Sequence, residues 1–241
     1  MPRGSFLGLA VAAMLSMIAV PVAAQAPAVA PAPAAISGPI HLISFFEVVP
    51  AAADKTAPLL RQYAAESRKA DGNSGVLALR ETTRPGRFAL IEVWRDKPAT
   101  EAHAGALAAL GERLRPDIAA PFDTRPNAGL DVASAAGGGE PSVGNDAVYV
   151  LTHVDVFPAG KDQTVEMLKQ LAADSRKTPG NLRFDVLQQE GRLNHLPLLE
   201  IWRNAGAHDA HVMAEHTRAY RAKLVKLQGA LYDERLYQAV R

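Results

Sequence analysis

The sequence predicts an α+β protein in which a unit with the order strand–helix–strand–strand–helix–strand occurs twice. The phrase EVWRDKPATEAH at 92–103 returns as EIWRNAGAHDAH at 200–211, so the second copy follows the first at an offset of 108 (200 − 92). Without a gap, 23 of the 56 positions from Val48 to His103 are identical to the corresponding positions at this offset. Identity at this level over such a stretch indicates an internal duplication.

The two copies are flanked by segments that are not predicted to fold. The first repeat is assigned to residues 41–126 and the second to 147–241, with a linker of small residues at 127–146. This linker has too few large apolar side chains to form a core. The same holds for the Ala/Pro-rich residues 25–40, which we predict to be a disordered tether.

The first residues are typical of a secretory signal peptide, assigned to 1–24. Arg3 precedes an uninterrupted apolar run from Phe6 to Val20, and small residues follow it. The run is shorter than the roughly 20 residues of a membrane span. We therefore expect a bacterial protein that is periplasmic or secreted, with no stable membrane insertion after the signal is removed.

The elements follow one another in the same order in both repeats. Each repeat opens with an apolar stretch typical of a buried strand, at 41–49 and at 148–157. Apolar side chains at helical spacing and a closing Gly-Asn pair predict the first helix. Two strands follow, and a second helix is predicted to begin near Ala99 and near Ala207. Helices on one face of an antiparallel sheet define the α+β class.

Composition restricts the functions that need to be considered. Lys plus Arg is 26 and Asp plus Glu is 25, and no basic stripe alternates with aromatic residues, so nucleic acid is not expected as a partner. Cysteine is absent from the sequence, which excludes disulfides, thiol nucleophiles and thiolate metal sites.

The order of elements and the words SRKTPGN (175–181), E-[VI]-W-R and A-H resemble the antibiotic biosynthesis monooxygenase (ABM) domain. The resemblance covers both halves and is closer in the second. It implies two ferredoxin-like (βαββαβ) repeats that pair within one chain as a dimeric α+β barrel. Assembly of such chains into a homo-oligomer is left open.

The resemblance also implies an activity, which is cofactor-independent oxygenation of a quinol or other electron-rich aromatic. The partners would be a small aromatic molecule and dioxygen. In the second repeat His211 would act as the base, Trp202 would form a wall of the pocket, and Glu200 would orient His211. Substrate-binding roles are assigned to Trp94, His103, Glu92 and His216.

The repeated phrase also has a purely structural interpretation. Alternation along a strand places Glu92 and Trp94 on one face, and the opposite face is apolar as well. A Trp in such a strand can fill the core, and a His on the next helix can fasten that helix to the sheet. A carboxylate buried there needs a partner, for which Arg95 and Arg68 are candidates.

Two alternatives to the monooxygenase remain. One is a non-catalytic periplasmic binding protein for an apolar or aromatic ligand. The other is a haem-handling protein, since a haem-degrading branch shares the predicted fold, although the Asn which that branch carries on its first strand has no match here. His208, His211 and Glu215 share helical spacing, but a metal site usually needs three convergent ligands, so no metal or other cofactor is expected.

Overall fold

The computed structural model describes Met1 and residues 38–133 and 143–241. Apart from Met1, the predicted signal peptide lies outside the described residues, as do most of the tether and residues 134–142 of the predicted linker. The first repeat consists of β1 (Ile40–Val48), α1 (Ala53–Ser67), β2 (Asn73–Glu81), β3 (Arg87–Trp94), α2 (Lys97–Leu114) and β4 (Ile118–Asp131). The second consists of β5 (Val148–Asp155), α3 (Lys161–Ser175), β6 (Asn181–Gln189), β7 (His195–Trp202), α4 (Ala205–Met213), α5 (Glu215–Leu224) and β8 (Asp233–Ala239).

The eight strands close into one barrel in the order β1-β3-β2-β8-β5-β7-β6-β4. Every pairing is antiparallel, and the last strand of each repeat crosses to the other repeat, so β8 pairs with β2 and β4 pairs with β6. The closed sheet therefore has no free edge. The predicted α+β fold, with two ferredoxin-like repeats forming one barrel within the chain, is confirmed.

The strand β4 is longer than the sequence suggested. It continues to Asp131, so residues 127–131, assigned to the linker, are part of the barrel. Asn127 lies opposite Gln189 of β6, and Gly129 lies opposite Leu187. These residues are extended because their backbone groups pair with the other repeat, a contact that local composition does not reveal.

Apolar side chains fill the inside of the barrel and the space beneath the helices. The inner cluster includes Ile43, Tyr149 and Leu199, because an eight-stranded barrel is only wide enough for its own side chains. Beneath α1 and α2 lies a second cluster that includes Leu60, and beneath α3 and α5 lies a third that includes Leu168. Within the described ranges, no helix combines the length and apolar character that crossing a membrane requires.

Part of the repeated phrase builds the turn that starts the second helix. The Asp96 carboxylate caps α2 by accepting a hydrogen bond from the backbone N–H of Ala99 at 2.9 Å. Gly72 has φ +79°, and a Cβ there would lie 2.6 Å from the Cβ of Ala99, so the turn and the helix can approach only with glycine at this position. The second repeat builds the same turn from Asn204, Ala207 and Gly180.

The second helix differs between the repeats. The sequence predicts one helix in each, and the first repeat has one, α2. In the second repeat Ala214 is extended (φ −62°, ψ 147°) and separates α4 from α5. The offset between the repeats changes here, because it is 108 between His103 and His211 but 110 between Leu114 and Leu224. The additional pair of residues is accommodated by the break.

Candidate functional site

A cavity of about 420 Å³ lies in the first repeat, between α2 and the neighbouring strands β3, β1 and β4. Residues of the repeated phrase meet other parts of the repeat here, because Glu92 and Trp94 come from β3 and His103 comes from α2. The remaining walls are mainly apolar. They are formed by Leu42, Thr100, Glu101, Ala104, Leu107, Ala108, Gly111, Phe122 and Thr124.

The most unusual group that lines this cavity is the carboxyl group of Glu92. Its side chain is 1% exposed and accepts a hydrogen bond from the Tyr63 hydroxyl group at 3.0 Å. Burial raises the pKa of Glu92 to about 7, although the hydrogen bond from Tyr63 lowers it in part. The carboxyl group can therefore gain and lose a proton near neutral pH.

Trp94 and His103 stand side by side on the same cavity, with their ring centroids 4.7 Å apart. The Nε2 atom of His103 lies 2.8 Å from the Ser67 hydroxyl group and 3.9 Å from Glu92 Oε1. Burial lowers the pKa of His103, so the imidazole is neutral at neutral pH. The indole N–H of Trp94 is buried and has no hydrogen-bond partner among the described residues.

In the second repeat the corresponding Glu, Trp and His residues contact one another. The indole N–H of Trp202 donates to Glu200 Oε2 at 2.8 Å. The Trp202 ring stacks on His211 with centroids 4.5 Å apart. Burial raises the pKa of Glu200 to about 7, against the effect of the Trp202 hydrogen bond. Burial, together with the nearby His216 and His208, lowers the pKa of His211 to about 4.

Four positions of the second repeat that correspond to walls of the cavity carry larger polar side chains. Arg221 of α5 forms an ion pair with Glu234 of β8 and lies over the ring of Tyr232, 4.7 Å from its centroid. His208 of α4 lies 3.6 Å from the same Glu234. Burial alone would lower the pKa of His208, but the charge of Glu234 raises it overall. These four residues correspond in the alignment to Gly111, Thr124, Phe122 and Thr100 of the first repeat.

The residues singled out in the sequence therefore form two groups. His211, Trp202 and Glu200 lie together, and His216 lies nearby with its ring centroid 5.7 Å from that of His211. Glu92, Trp94 and His103 also lie together, and these three border the cavity.

Several residues of the site could not be recognised from the repeated phrase. Tyr63 bonds Glu92 in place of the expected arginines, because Arg68 donates to the Val76 carbonyl oxygen and Arg95 pairs with Asp71 and Asp96. The sequence carried one signal for this, since Tyr63 corresponds to Leu171 in the second repeat. No signal in the sequence pointed to Ser67 or Gly111 as residues of the site.

The histidines of α4 do not converge on a metal position. Of the residues in 38–133 and 143–241, no three His, Asp or Glu side chains are grouped so that they could hold a metal ion. His208 instead faces Glu234, and His211 lies 3.3 Å from the Thr217 hydroxyl group through its Nδ1 atom.

Solved structures with the same fold extend over both repeats. A candidate monooxygenase from Fusobacterium nucleatum is 15% identical with a TM-score of 0.73, over 85% of this chain and 94% of that one. A candidate monooxygenase from Lactobacillus acidophilus is 15% identical with a TM-score of 0.70, over 85% and 95%. An anthrone oxidase-like protein is 18% identical with a TM-score of 0.62, over 85% and 92%. At these identities the likeness establishes the shared fold.

Sequence comparison gives the family. No curated protein matches this chain in sequence. The family model described as antibiotic biosynthesis monooxygenase matches residues 39–109 and again residues 147–223. Each match falls in one repeat, and together they cover more than half of the sequence. The chain therefore belongs to the antibiotic biosynthesis monooxygenase family, as a tandem duplication of its domain.

Proposed function

We propose that this protein is a cofactor-independent monooxygenase that oxidises a quinol, an anthrone or another electron-rich aromatic with dioxygen in the cavity of the first repeat. One observation carries the proposal. Glu92, a buried carboxyl group with a pKa of about 7, and Trp94, whose buried indole N–H has no described partner, line the same mainly apolar space. A planar aromatic molecule with one acidic hydrogen suits such a lining.

This proposal moves the reaction from the second repeat, which the sequence favoured, to the first. The base is also reassigned. A general base works best when its pKa lies near the working pH, which holds for Glu92. The pKa of His211, about 4, makes that imidazole a weak base, and Arg221 and Glu234 occupy the space beside it.

The first step is removal of a proton from the substrate by Glu92. The negative charge left on the substrate oxygen accepts a hydrogen bond from the indole N–H of Trp94, which has no other described partner to exchange for it. A donor that is already in place for developing charge is an effective form of transition-state stabilisation. Neutral His103 packs against Trp94 and holds the ring in position.

The second step uses dioxygen, and the substrate supplies the electrons. The anion transfers one electron to dioxygen, and the resulting radical and superoxide combine to form a carbon–oxygen bond. The peroxide anion formed in this way takes the proton back from Glu92, and the resulting hydroperoxide loses water, which leaves a carbonyl group. Two hydrogens of the substrate carbon are replaced by one oxygen atom, and the other oxygen atom leaves as water, so no external reductant is needed.

Oxygen uptake by matched variants tests the proposal. With anthrone and a panel of quinols, Glu92→Gln should lower the rate by about 10²–10⁴-fold, the usual contribution of a general base. Glu200→Gln, the same change at the corresponding position, should retain the wild-type rate. Loss of activity in Glu200→Gln alone would return the site to the second repeat. Tight binding of anthrone without oxygen uptake would identify a non-catalytic binding protein instead.

We also propose that the protein works outside the cytoplasm, as the residues before Gln25 suggest. The N-terminal sequence of the protein purified from bacterial periplasm tests this. A chain that begins at Gln25 is expected, and recovery of the uncleaved chain in the cytoplasm would contradict it.

A further inference from the structure

A second cavity, of about 290 Å³, lies where the two repeats meet. Phe45 of β1 and His153 of β5 occupy corresponding positions in the alignment of the repeats, and their ring centroids are 5.3 Å apart across this junction. None of the residues that line this junction cavity lines the cavity beside Glu92. Its walls are Phe45, Asp123, Arg125, His153, Asp155, Arg192, His195, Ala230, Leu231, Asp233 and Arg235.

Two buried histidines and a carboxylate follow one another along the wall of this cavity. His195 is 2% exposed, and its Nδ1 atom lies 3.6 Å from Asp155 Oδ2. Its Nε2 atom lies 3.1 Å from Nδ1 of His153, which is 8% exposed. The Nε2 atom of His153 is buried without a hydrogen-bond partner among the described residues.

The carboxylate determines where the protons of the two rings lie. A hydrogen on Nδ1 of His195 is attracted by Asp155, whereas a lone pair there would be repelled. The Nε2 atom of His195 then accepts the hydrogen on Nδ1 of His153. The buried Nε2 atom of His153 is left with an unpartnered lone pair, and the ring that carries it is one wall of the cavity.

The other polar walls are already paired. Arg125 forms an ion pair with Asp123, Arg235 with Asp233, and Arg192 with Asp155, so the three charges of each sign balance. Burial, followed by the charge of Arg235, lowers the pKa of His153 to about 4, which keeps the ring neutral at neutral pH. The charges of the lining therefore cancel, and the Nε2 lone pair of His153 has no partner among the described residues, so the cavity suits an uncharged ligand that carries one hydrogen-bond donor.

The remaining walls and the size define the rest of the ligand. Phe45, Ala230 and Leu231 provide an apolar and partly aromatic surface. The volume of about 290 Å³ lies just below the roughly 300–1,000 Å³ in which proteins hold drug-sized molecules, which suits a single ring. We propose that the junction cavity binds a one-ring phenol, which donates its hydroxyl hydrogen to Nε2 of His153 and packs its ring against Phe45. This site is independent of the reaction proposed for the first repeat.

Phenol and anisole, which differ by the hydroxyl hydrogen, are the probes. Titrations use protein carrying Gly111→Arg, which fills the other cavity, and follow binding by calorimetry and by the ¹⁵N shift of His153 Nε2. Phenol should bind about five- to tenfold more tightly than anisole, the effect of one hydrogen bond, and should move the Nε2 signal. Equal affinity for the two probes, or an unmoved signal at saturating phenol, would overturn the proposal.

Two variants separate this contact from general damage to the fold. His153→Phe introduces the residue that the first repeat has at this position, and it should bind phenol no better than anisole. Asp155→Asn keeps the shape of the wall but removes the charge that selects the tautomer, and it should reduce the preference for phenol. Retention of the full preference in a folded His153→Phe or Asp155→Asn protein would contradict the assignment.

Discussion

Gly111 of α2 and Arg221 of α5 occupy corresponding positions, and they explain most of the difference between the repeats. A Cβ at Gly111 would be in ordinary contact with the Phe122 ring, at 3.9 Å. At the corresponding place Arg221 extends over the Tyr232 ring and pairs with Glu234. The Glu, Trp and His residues are the same in both repeats, but a cavity borders them in the first and a polar network covers them in the second.

The comparison separates what builds the fold from what builds a site. The repeated phrase caps a helix, closes a turn and fills the core in both repeats, so a packing role is sufficient to explain why it is duplicated. The site depends on residues that differ, namely those on the inner face of the second helix and on the strand after it. A duplicated domain allows one copy to keep a cavity while the other contributes to stability.

The largest effect is expected from introducing the second repeat's arginine into the first. Gly111→Arg should lower oxygen uptake at least 100-fold, because the side chain would enter the cavity beside Phe122. The fold should persist, since glycine within a helix costs about 1 kcal/mol relative to a good helix former. Oxygen uptake and thermal unfolding measure the two effects.

The control is the same substitution on the same helix. Gly105 is exposed and has open space around its Cβ direction, so Gly105→Arg should leave oxygen uptake unchanged. Equal losses in the two variants would mean that a charge on α2, and not the filled cavity, causes the effect.

A second prediction concerns pH, to which both repeats should respond alike. The pKa of Glu92 and that of Glu200 are raised from 4.5 to about 7, so the folded protein binds these protons more tightly than the unfolded chain. The stability that each carboxyl group contributes is present below pH 4.5 and is lost as the pH rises to 7. Gln imitates the protonated form and does not titrate. Relative to wild type, Glu200→Gln should gain up to about 3 kcal/mol between pH 5 and pH 8.

Urea unfolding at the two pH values measures this gain. Glu92→Gln should show a gain of similar size, and the buried histidines cancel because wild type and variants share them. The raised pKa would then be a property of the common scaffold, and only the cavity would make it useful in one repeat. A gain in only one of the two variants would contradict the prediction that both carboxyl groups have a raised pKa.

The contrast between the repeats also shows how much of the structure can be predicted from the sequence. Helical spacing, the Gly-Asn turns and the unbroken alignment from Val48 to His103 were sufficient for the order of elements and the α+β class, because these signals are local and occur twice. The pairing of the repeats into one barrel was implied by the resemblance to the family. The location of the cavity was not predictable in this way. It depends on Gly111, Thr124 and Phe122, which lie outside the phrase and are ordinary residues on their own elements.

The break at Ala214 was missed for a related reason. An additional pair of residues can extend a helix, form a bulge or interrupt it, and the composition of α4 and α5 contains no Gly or Pro at the junction. The interruption allows α5 to direct Arg221 towards Glu234, which lies on a strand that follows in sequence. Only the packed structure brings those two residues together.

A third prediction compares the two tryptophans. Trp202→Phe removes the donor to Glu200 and leaves a buried oxygen unsatisfied, whereas Trp94→Phe removes no hydrogen bond within the described residues. The lost ring volume is the same in both. Trp202→Phe should therefore reduce the free energy of unfolding by about 1–2 kcal/mol more than Trp94→Phe. Oxygen uptake should show the reverse order, and one variant that is worse in both assays would refute the assigned roles.

The smallest effect is expected at Tyr63, which positions Glu92 without contacting the substrate. Its hydrogen bond lowers the pKa of Glu92, so Tyr63→Phe should raise that pKa further. Oxygen uptake requires ionised Glu92, so its rate should fall at low pH. In Tyr63→Phe this low-pH limb of the pH–rate profile should move to higher pH by up to about one unit. Tyr220→Phe, at a buried tyrosine of the second repeat, should leave the limb in place. A limb that stays fixed in Tyr63→Phe would mean that a group other than Glu92 takes the proton.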